Sequence, residues 1–299
     1  MAIHSLEIKE LTKKIGSKTI LDNIDLSIEK GMIIGLIGPN GAGKTTTFKC
    51  CSGLSSITSG DILINGHSIK RDFESAIKKL SYSYGSENLY PFYNACENIK
   101  SLLPLKDISK EDMKRTLSVV GLESVMNAKI KTYSLGMKQR LSLAMAFIGK
   151  PDIILLDEPF NGVDPQGVAE FRSIITKYRD DNESTFVISS HNLSEISKVI
   201  DSYVFMNHGR IVKNSIGLNT DEKIYTLELS EIRVVSDYLE QAGIGYKANE
   251  NRITFMLKSF ELNGLLQKLA AKNVVVYDIS TESSLEKEYL ELLGGEHIE

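Results

Sequence analysis

A glycine-rich segment near the start of the chain has the spacing of a phosphate-binding loop. Residues 38–45 read Gly-Pro-Asn-Gly-Ala-Gly-Lys-Thr, which fits the pattern GxxxxGK[ST]. Glycines let successive backbone N–H groups turn inward around phosphate oxygens, and the N-terminus of a following helix adds a favourable dipole. Lys44 can reach the β- and γ-phosphates of a nucleoside triphosphate, and the Thr45 hydroxyl can bind Mg²⁺. The residues predicted to contact the nucleotide are Gly38, Asn40, Gly41, Gly43, Lys44, Thr45 and Thr46.

Two adjacent carboxylates end a short apolar segment further along the chain. Residues 153–156 are Ile-Ile-Leu-Leu, and Asp157 and Glu158 follow directly. Ligands bind at the carboxyl ends of parallel strands, so Asp157 is predicted to hold Mg²⁺ directly or through water. Glu158 could orient and deprotonate an attacking water. The alternative is that the two acids only end a strand and face solvent.

A third stretch indicates chemistry only in combination with the first two. Residues 133–140 read Tyr-Ser-Leu-Gly-Met-Lys-Gln-Arg and precede a helical pattern over 141–148. Ser134 is placed to cap a helix, and Gly136 keeps the backbone accessible. A capped helix needs no ligand, so this pattern is weak by itself. It gains weight because it lies 23 residues before Asp157.

The elements that must position these residues are visible as short apolar runs. Residues 32–37 predict a strand before the glycine-rich segment, and residues 46–51 can open a helix after it. A strand and a helix in these places favour a phosphate-binding loop over an incidental turn. Residues 153–156 predict a second buried strand. Residues 185–189 predict a third, which ends just before His191.

Taken together, these residues closely resemble the ATP-binding subunits of ABC transporters over about residues 3–215. Residues 134–140 resemble a variant of the family's signature motif. Residues 161–165, Asn-Gly-Val-Asp-Pro, resemble its D-loop, and residues 189–191, Ser-Ser-His, resemble its switch histidine. The resemblance implies an α/β fold, a P-loop NTPase core with a β-rich edge and a helical subdomain over about residues 86–150.

The resemblance also implies a mechanism, with ATP and Mg²⁺ as the bound groups. Two ATP molecules would lie between two subunits arranged head to tail, either a homodimer or a heterodimer with another ATP-binding subunit. Ser134 and Gly136 would contact the γ-phosphate held by the partner, His191 would sense that phosphate, and Asp164 would couple the two sites. Glu158 and His191 are thus the predicted catalytic residues, and Thr45 and Asp157 the predicted metal ligands. The alternative for His191 is a solvent-facing residue near a helix start.

The chain departs from the family pattern at two positions. An aromatic that stacks on adenine is usual near residue 15, where this chain has Ile15. Gly85 occupies the place of a glutamine, or in some subfamilies a glutamate, that touches Mg²⁺ and the attacking water. Glu87 could replace that side chain through a shifted loop. Otherwise the contact must run through backbone or water.

A change in charge divides the chain near residues 215–221. From residue 215 onward there are 8 Lys+Arg and 15 Asp+Glu, whereas residues 1–214 hold 27 and 24. Ordinary surface variation is the alternative to a domain boundary, but the pattern that follows favours the boundary. The predicted elements are a strand at 224–229, a helix at 232–242, a hairpin over 246–257, a helix at 260–272, a strand at 274–278 and a helix at 285–293. The order matches a small α+β ferredoxin-like domain. We therefore expect an ATP-binding domain over 1–218 and an accessory domain over 219–299.

Composition restricts the partners. A net charge of -4 argues against a nucleic-acid partner, and three cysteines without a CxxC pair argue against a disulfide scaffold or a zinc site. No stretch approaches the roughly 20 apolar residues of a membrane span, and the N-terminus shows no secretory signal pattern. If the chain works at a membrane, a partner must therefore supply the membrane part. The resemblance implies that this partner is a separate transmembrane permease subunit, which would hold the chain at the cytoplasmic face of the cell membrane.

The motifs also favour one branch of the family. Residues 133–137 and 161–165, with the acidic tail, are similar to bacterial exporters of drugs and peptide antibiotics, of the bacitracin-resistance and lantibiotic-immunity kinds. The predicted function is ATP hydrolysis that powers such an exporter. The alternative is a regulatory ABC subunit with weak hydrolysis, which Gly85 and Ile15 leave open. Residues 90–93, Tyr-Pro-Phe-Tyr, are either a docking surface for the permease or partly core, and the sequence favours neither.

Overall fold

The computed structural model describes residues 4–83, 85–102, 108–216 and 222–283, which fall into two compact units, Met1–Ile216 and Gly217–Glu299. The division lies two residues before the boundary predicted from the sequence. The strands of the first unit are β1 (His4–Ile15), β2 (Lys18–Glu29), β3 (Ile33–Ile37), β4 (Ser59–Ile64), β5 (His67–Ser68), β6 (Leu80–Tyr82), β7 (Ile153–Leu156), β8 (Thr185–Ser190), β9 (Ser202–Asn207) and β10 (Arg210–Asn214). Its helices are α1 (Lys44–Cys51), α2 (Phe73–Ile77), α3 (Ala95–Leu102), α4 (Lys110–Val119), α5 (Leu135–Phe147), α6 (Pro165–Asn182) and α7 (Leu193–Ile196).

A six-stranded sheet brings the predicted site residues to one edge. Its order is β10-β9-β3-β8-β7-β6, and every neighbouring pair is parallel except β10 with β9. Every residue of β3, β7 and β8 is buried, as expected for parallel strands covered on both faces. The carboxyl end of β3 leads into the glycine-rich loop, that of β7 into Asp157, and that of β8 into His191. The three strands predicted from apolar runs are confirmed.

A second sheet packs beside the glycine-rich loop. It is antiparallel, with the order β2-β1-β4-β5. Its inward side chains, among them Leu11, Leu21 and Ile24, join one apolar core with Phe48 of α1. Burial of this apolar surface holds α1, and with it the loop, against both sheets.

Helix α5 begins earlier than the apolar pattern predicted. The predicted cap Ser134 is confirmed, because its hydroxyl accepts a hydrogen bond from Met137 N at 3.2 Å. The helix starts at Leu135, six residues before the apolar pattern over 141–148. The polar residues Lys138 and Arg140 belong to the helix and stay partly exposed, so apolar periodicity alone did not reveal this turn. Residues 95–147 of the described chain include α3, α4 and α5, which form the helical part expected near 86–150.

The second unit has its own sheet and core. Its elements are β11 (Glu222–Leu229), α8 (Arg233–Gln241), β12 (Tyr246–Asn249), β13 (Arg252–Lys258), α9 (Ser259–Ala271) and β14 (Val276–Ser283). The strand order is β12-β13-β11-β14, all antiparallel. Leu227, Phe255, Leu265 and Leu269 are fully buried in its core. The ferredoxin-like assignment stays a prediction, and the helix expected at 285–293 lies outside the described residues.

The last strand starts later than predicted because the chain first closes the helix before it. Asn273 has a left-handed φ of +57°, and Val274 N donates to Leu269 O at 3.0 Å. Val274 is therefore used in the turn that ends α9, as at many helix C-termini. The predicted strand at 274–278 was wrong in its bounds.

Within the described ranges, no helix combines the length and apolar character that a membrane span requires.

Deleting residues 221–299 should leave a folded ATP-binding unit. The apolar cluster that carries the glycine-rich loop is made of residues between Leu6 and Met206, so the truncated chain keeps its own core. We expect cooperative thermal unfolding by circular dichroism and nucleotide binding by fluorescence titration. A truncated protein that is unfolded and binds no ATP would contradict the two-domain prediction.

Candidate functional site

Two glycines of the loop after β3 occupy places where no side chain fits. A Cβ on Gly38 would overlap the carbonyl oxygen of Met206 in β9. Gly43, which precedes α1, has a φ of +109°, and a Cβ there would lie 2.7 Å from Leu21 Cδ2. Both positions therefore require glycine, and the loop can approach a phosphate with its backbone. The glycine-rich segment predicted from the sequence forms a close-packed backbone turn at the start of α1.

Lys44 is a buried cation at the centre of this loop. Its side chain is 6% exposed, and its Nζ donates to the carbonyl oxygens of Gly38 at 2.6 Å and Pro39 at 3.3 Å. The same ammonium lies 3.3 Å from Glu158 Oε1. The loop and the carboxylate after β7, which are 114 residues apart in the chain, thus meet at one lysine.

Asp157 is oriented by two hydroxyl groups. Ser189 Oγ donates to Asp157 Oδ1 at 2.6 Å, and Tyr82 OH donates to Oδ2 at 3.2 Å. Ser189 is at the end of β8 and Tyr82 at the end of β6, the two strands that flank β7. The alternative of a carboxylate that only faces solvent is not what the structure shows. Tyr82 was missed from the sequence because only the strand order brings it here.

Glu158 is held in an uncommon conformation between the Lys44 ammonium and the His191 ring. Its φ is +47°, in the left-handed region that few non-glycine residues adopt. Its Oε1 faces Lys44, and His191 Nδ1 lies 2.9 Å from Oε2. Its backbone N–H donates to Ser189 Oγ at 2.8 Å. Uncommon backbone conformations concentrate at active sites. The structure also brings Glu158, the predicted base, into contact with His191, the predicted switch histidine.

A cavity of about 650 Å³ opens beside these groups. Thr45 lines it from α1, Asp157 and Glu158 line it from the end of β7, and Leu135 and Gln139 line it from α5. Ser134, Gly136, Asp164 and His191 are described residues that do not line it. The cavity therefore unites the predicted metal ligands and base, whereas Ser134, Gly136 and Asp164 lie outside it.

The signature serine and the D-loop aspartate have the same local role. Ser134 caps α5, and Asp164 caps α6 by accepting a hydrogen bond from Gly167 N at 2.7 Å. Both are exposed, and nothing lies within 4 Å of where a Cβ on Gly136 would be. Exposed helix N-termini can accept an anion from outside the subunit. Within the subunit, the two caps stabilise their helices.

The loop that departs from the family pattern places Glu87 beside the cavity. Gly85 has φ +56° and ψ 152°, a conformation open mainly to glycine. A Cβ on Gly85 would overlap the carboxylate of Glu87. The Glu87 side chain thus fills the space that a side chain at 85 would enter, and both residues line the cavity. Ile15, the other departure, is 61% exposed at the tip of the β1–β2 hairpin.

Residues 90–93, predicted to form either a docking surface or part of the core, are at the surface. Tyr90, Phe92 and Tyr93 are 46%, 67% and 44% exposed, and Pro91 is exposed too. The rings of Tyr90 and Tyr93 are 5.3 Å apart, and Lys131 Nζ lies 5.5 Å from the ring centre of Phe92. Exposure of several aromatics together is typical of a protein contact surface.

The cysteines near the loop serve packing. Cys50 and Cys51 are in the last turn of α1 and are buried in the apolar core. Burial raises the pKa of both thiols. They therefore stay protonated at neutral pH and take no part in the site's chemistry.

The donor set beside the cavity fits Mg²⁺. Thr45 offers a hydroxyl and Asp157 a carboxylate, the hard oxygen donors that Mg²⁺ prefers. No group of three or more His, Cys, Asp or Glu in the described residues could hold a metal ion by itself. Such a site suits Mg²⁺ bound with a nucleotide, because this ion commonly takes one or two carboxylates together with substrate phosphates.

The glycine-rich loop follows β3, and the oriented aspartate and the glutamate follow β7, at the same edge of one mostly parallel sheet. This combination defines a P-loop nucleotide-binding protein. Comparisons with known proteins then identify the family. The profile of the family described as ABC transporter matches residues 21–161, and that of an AAA domain (putative AbiEii toxin, Type IV TA system) matches residues 126–197. The chain is 33% identical over 294 residues to the uncharacterized ABC transporter ATP-binding protein YhcH of Bacillus subtilis, covering 97% of this chain and 96% of that protein. The chain belongs to the ATP-binding proteins of ABC transporters, and it is an ATPase of that family.

Two further relatives carry names that include a transported compound. The bacitracin transport ATP-binding protein BcrA of Enterococcus faecalis is 32% identical over 297 residues, 97% of this chain and 96% of its own length. The lantibiotic transport ATP-binding protein SrtF of Streptococcus pyogenes is 39% identical over 208 residues, 69% of this chain and 89% of its own. Among solved structures, a nucleotide-free ATP-binding cassette from an ABC transporter aligns with a TM-score of 0.65 at 22% identity, covering 71% of this chain and 91% of that one. That likeness supports the fold.

Proposed function

We propose that this ATPase powers an exporter of drugs or antimicrobial peptides. The observation that carries the proposal is the similarity to BcrA over 97% of the chain, which includes the second unit as well as the ATP-binding unit. The second unit, over about residues 219–299, is on this proposal an accessory domain shared with such transporters. On this proposal, the membrane partner makes most of the contacts with the transported compound.

The site residues have distinct roles in the proposed reaction. Lys44 moves from Glu158 to the β- and γ-phosphates of ATP, which the backbone of residues 38–46 surrounds. Thr45 and Asp157 would hold Mg²⁺, which would supply positive charge beside the phosphates. Glu158 accepts a proton from the attacking water, and His191, already 2.9 Å from that carboxylate, holds it in place and senses the γ-phosphate.

The proposed working unit is a head-to-tail dimer. The exposed caps of α5 and α6, Ser134 and Asp164, support this proposal because they are free to meet a second subunit. Ser134 and Gly136 contact the γ-phosphate held by the partner, and Asp164 couples the two sites. ATP then joins the subunits, and loss of the γ-phosphate releases them. The dimer consists of two identical chains or of this chain and another ATP-binding subunit.

The proposed membrane partner is a separate permease, which holds the chain at the cytoplasmic face of the membrane. The exposed aromatics at 90–93 are the proposed docking surface, and their place three residues after Glu87 connects that surface to the cavity. Closure of the dimer would then move the permease through residues 85–93.

Replacing Glu87 by alanine should weaken Mg²⁺-dependent nucleotide binding. We propose that its carboxylate substitutes for the side chain absent at Gly85 and acts on the ion through bound water. Loss of such an outer contact lowers metal affinity about 10–100-fold. The measurement is a Mg²⁺ titration at fixed nucleotide, read by fluorescence. The control, Glu74→Ala at an exposed position of α2, should leave the titration unchanged. An unchanged titration for Glu87→Ala would assign the contact to backbone or water.

The test of the proposed function is drug susceptibility. Expressing the chain with its permease in a sensitive bacterium should raise the inhibitory concentration of bacitracin or of a lantibiotic, and the Glu158→Gln protein should not. If wild-type expression leaves susceptibility to both unchanged, the exporter assignment is wrong. Slow steady-state hydrolysis by the wild-type protein would instead support the regulatory alternative, which Gly85 and the exposed Ile15 suggest.

A further inference from the structure

A glutamine on α5 is buried with only part of its hydrogen-bonding capacity used. Gln139 is 8% exposed, and its Nε2 donates to the backbone carbonyl oxygen of Asn161. Its Oε1 is buried and has no hydrogen-bond partner within the described part of the chain. An unsatisfied buried acceptor is unfavourable. An apolar side chain of the same length would therefore fill this place better if packing were its only role.

The carbonyl that Gln139 binds belongs to the turn after Glu158. Asn161 N donates to Glu158 O at 3.3 Å, so the backbone of Asn161 is held from both sides. Glu158 itself has the left-handed φ of +47°. The turn keeps that backbone conformation in place, and Gln139 holds the far side of the turn.

A second contact attaches the same face of α5 to this turn. Leu135 lies four residues before Gln139, so the two side chains are neighbours on one helix face. A Cβ on Gly162 would lie 2.9 Å from Leu135 Cδ2, so the leucine lies directly over the glycine. The first two turns of α5 are thus joined to residues 161–162 at two points. A displacement of this end of α5 must move the turn.

We propose that Gln139 is a positioning residue that transmits movement of α5 to Glu158 of the same subunit. The proposal rests on the dimer proposed above, in which Ser134 at the start of α5 contacts nucleotide held by the partner. Engagement of Ser134 shifts the N-terminal end of α5, and the Gln139–Asn161 hydrogen bond carries that shift to the turn. Each subunit then aligns its own Glu158 only when its Ser134 has met the partner's nucleotide. The two sites are coupled through α5 as well as across the interface.

The first test measures the link itself. Gln139→Met has the same length without a donor, and Gln139→Glu has nearly the same shape but cannot donate to a carbonyl. In the full-length protein, both should speed amide hydrogen exchange in residues 158–164, measured by mass spectrometry. The control is Glu170→Gln, which removes the 3.6 Å contact of Arg140 with α6 and leaves the turn untouched. Exchange in 158–164 that equals wild type in both Gln139 variants would overturn the proposal.

The second test measures the consequence. We expect nucleotide affinity of Gln139→Met to stay within about twofold, since the phosphate loop is unchanged, while kcat falls about tenfold or more through misalignment of Glu158. The Hill coefficient for ATP should fall to about 1, because the coupling free energy is lost. A lower kcat with wild-type cooperativity would overturn the coupling and leave only packing.

The dimer is tested separately. Combined with Glu158→Gln, Gln139→Met should still form the ATP-dependent dimer. If Glu158→Gln alone stays monomeric with MgATP, the dimer and the coupling fail together. If that dimer forms but cooperativity survives in Gln139→Met, only the role of Gln139 is wrong.

Discussion

Replacing Glu158 with glutamine should stop ATP turnover and leave the nucleotide bound. The amide has the shape of the carboxylate but cannot take a proton from water, and general-base catalysis contributes about 10²–10⁴-fold. We therefore expect kcat to fall by at least about a hundredfold. The substitution also removes the charge 3.3 Å from Lys44 Nζ. Lys44 is then freer to bind phosphate, and ATP affinity should be no weaker than in wild type.

The measurement is light scattering of the Glu158→Gln protein with and without MgATP. An ATP-dependent shift from monomer to dimer is expected, because the γ-phosphate that joins the subunits in the proposed dimer is not removed. The matched control, Glu170→Gln, makes the same chemical change on α6 and should turn over ATP without accumulating dimer. Hydrolysis by Glu158→Gln at the wild-type rate would reject Glu158 as the base. A monomer under all conditions would point to a different partner subunit or a required permease, and would strengthen the regulatory alternative.

Replacing Ser134 with arginine should abolish the ATP-dependent dimer while each subunit still binds nucleotide. The new side chain is too large for a phosphate contact across the interface, and the phosphate loop of the same subunit is not altered. The measurement combines light scattering in the Glu158→Gln background with nucleotide titration.

Loss of the helix cap must be separated from loss of the contact. Removing a cap costs about 0.5–2 kcal/mol of stability, and Ser134→Arg removes the one on α5. Ser109 caps α4 in the same way, accepting a hydrogen bond from Asp112 N at 3.0 Å. Ser109→Arg should therefore destabilise the protein by a similar amount and leave dimerisation intact. Equal loss of the dimer in both variants would reject a specific role for Ser134.

The phosphate loop and the two carboxylates could be predicted from the sequence because each depends on local pattern. The glycine spacing at 38–45 and the apolar run before Asp157 are contained in a few consecutive residues. The strands at 33–37 and 153–156 follow from full burial, which leaves an uninterrupted apolar signal. These features need no knowledge of what lies beside them.

The contacts that orient the site depend on strand order and loop path, which no local pattern contains. Tyr82 reaches Asp157 because β6 and β7 are neighbours, although 75 residues separate the two side chains. Gln139 reaches Asn161 across 22 residues through the packing of α5. The Glu87 carboxylate reaches the space beside Gly85 because residues 86–88 form a single 3-10 turn. The sequence raised Glu87 as a substitute but could not place its carboxylate.

The left-handed backbone conformation of Glu158 lowers the stability of the fold at a residue that the proposed reaction needs. A glycine would adopt φ +47° without the side-chain clash, which costs other residues about 1–2 kcal/mol. Replacement of Glu158 by glycine would therefore relieve this strain but would remove the proposed base. On the proposed mechanism hydrolysis needs the Glu158 carboxylate, so the reaction requires a backbone conformation that costs folding free energy. A search for more thermostable variants should therefore keep glutamate at residue 158 and place stabilising substitutions elsewhere.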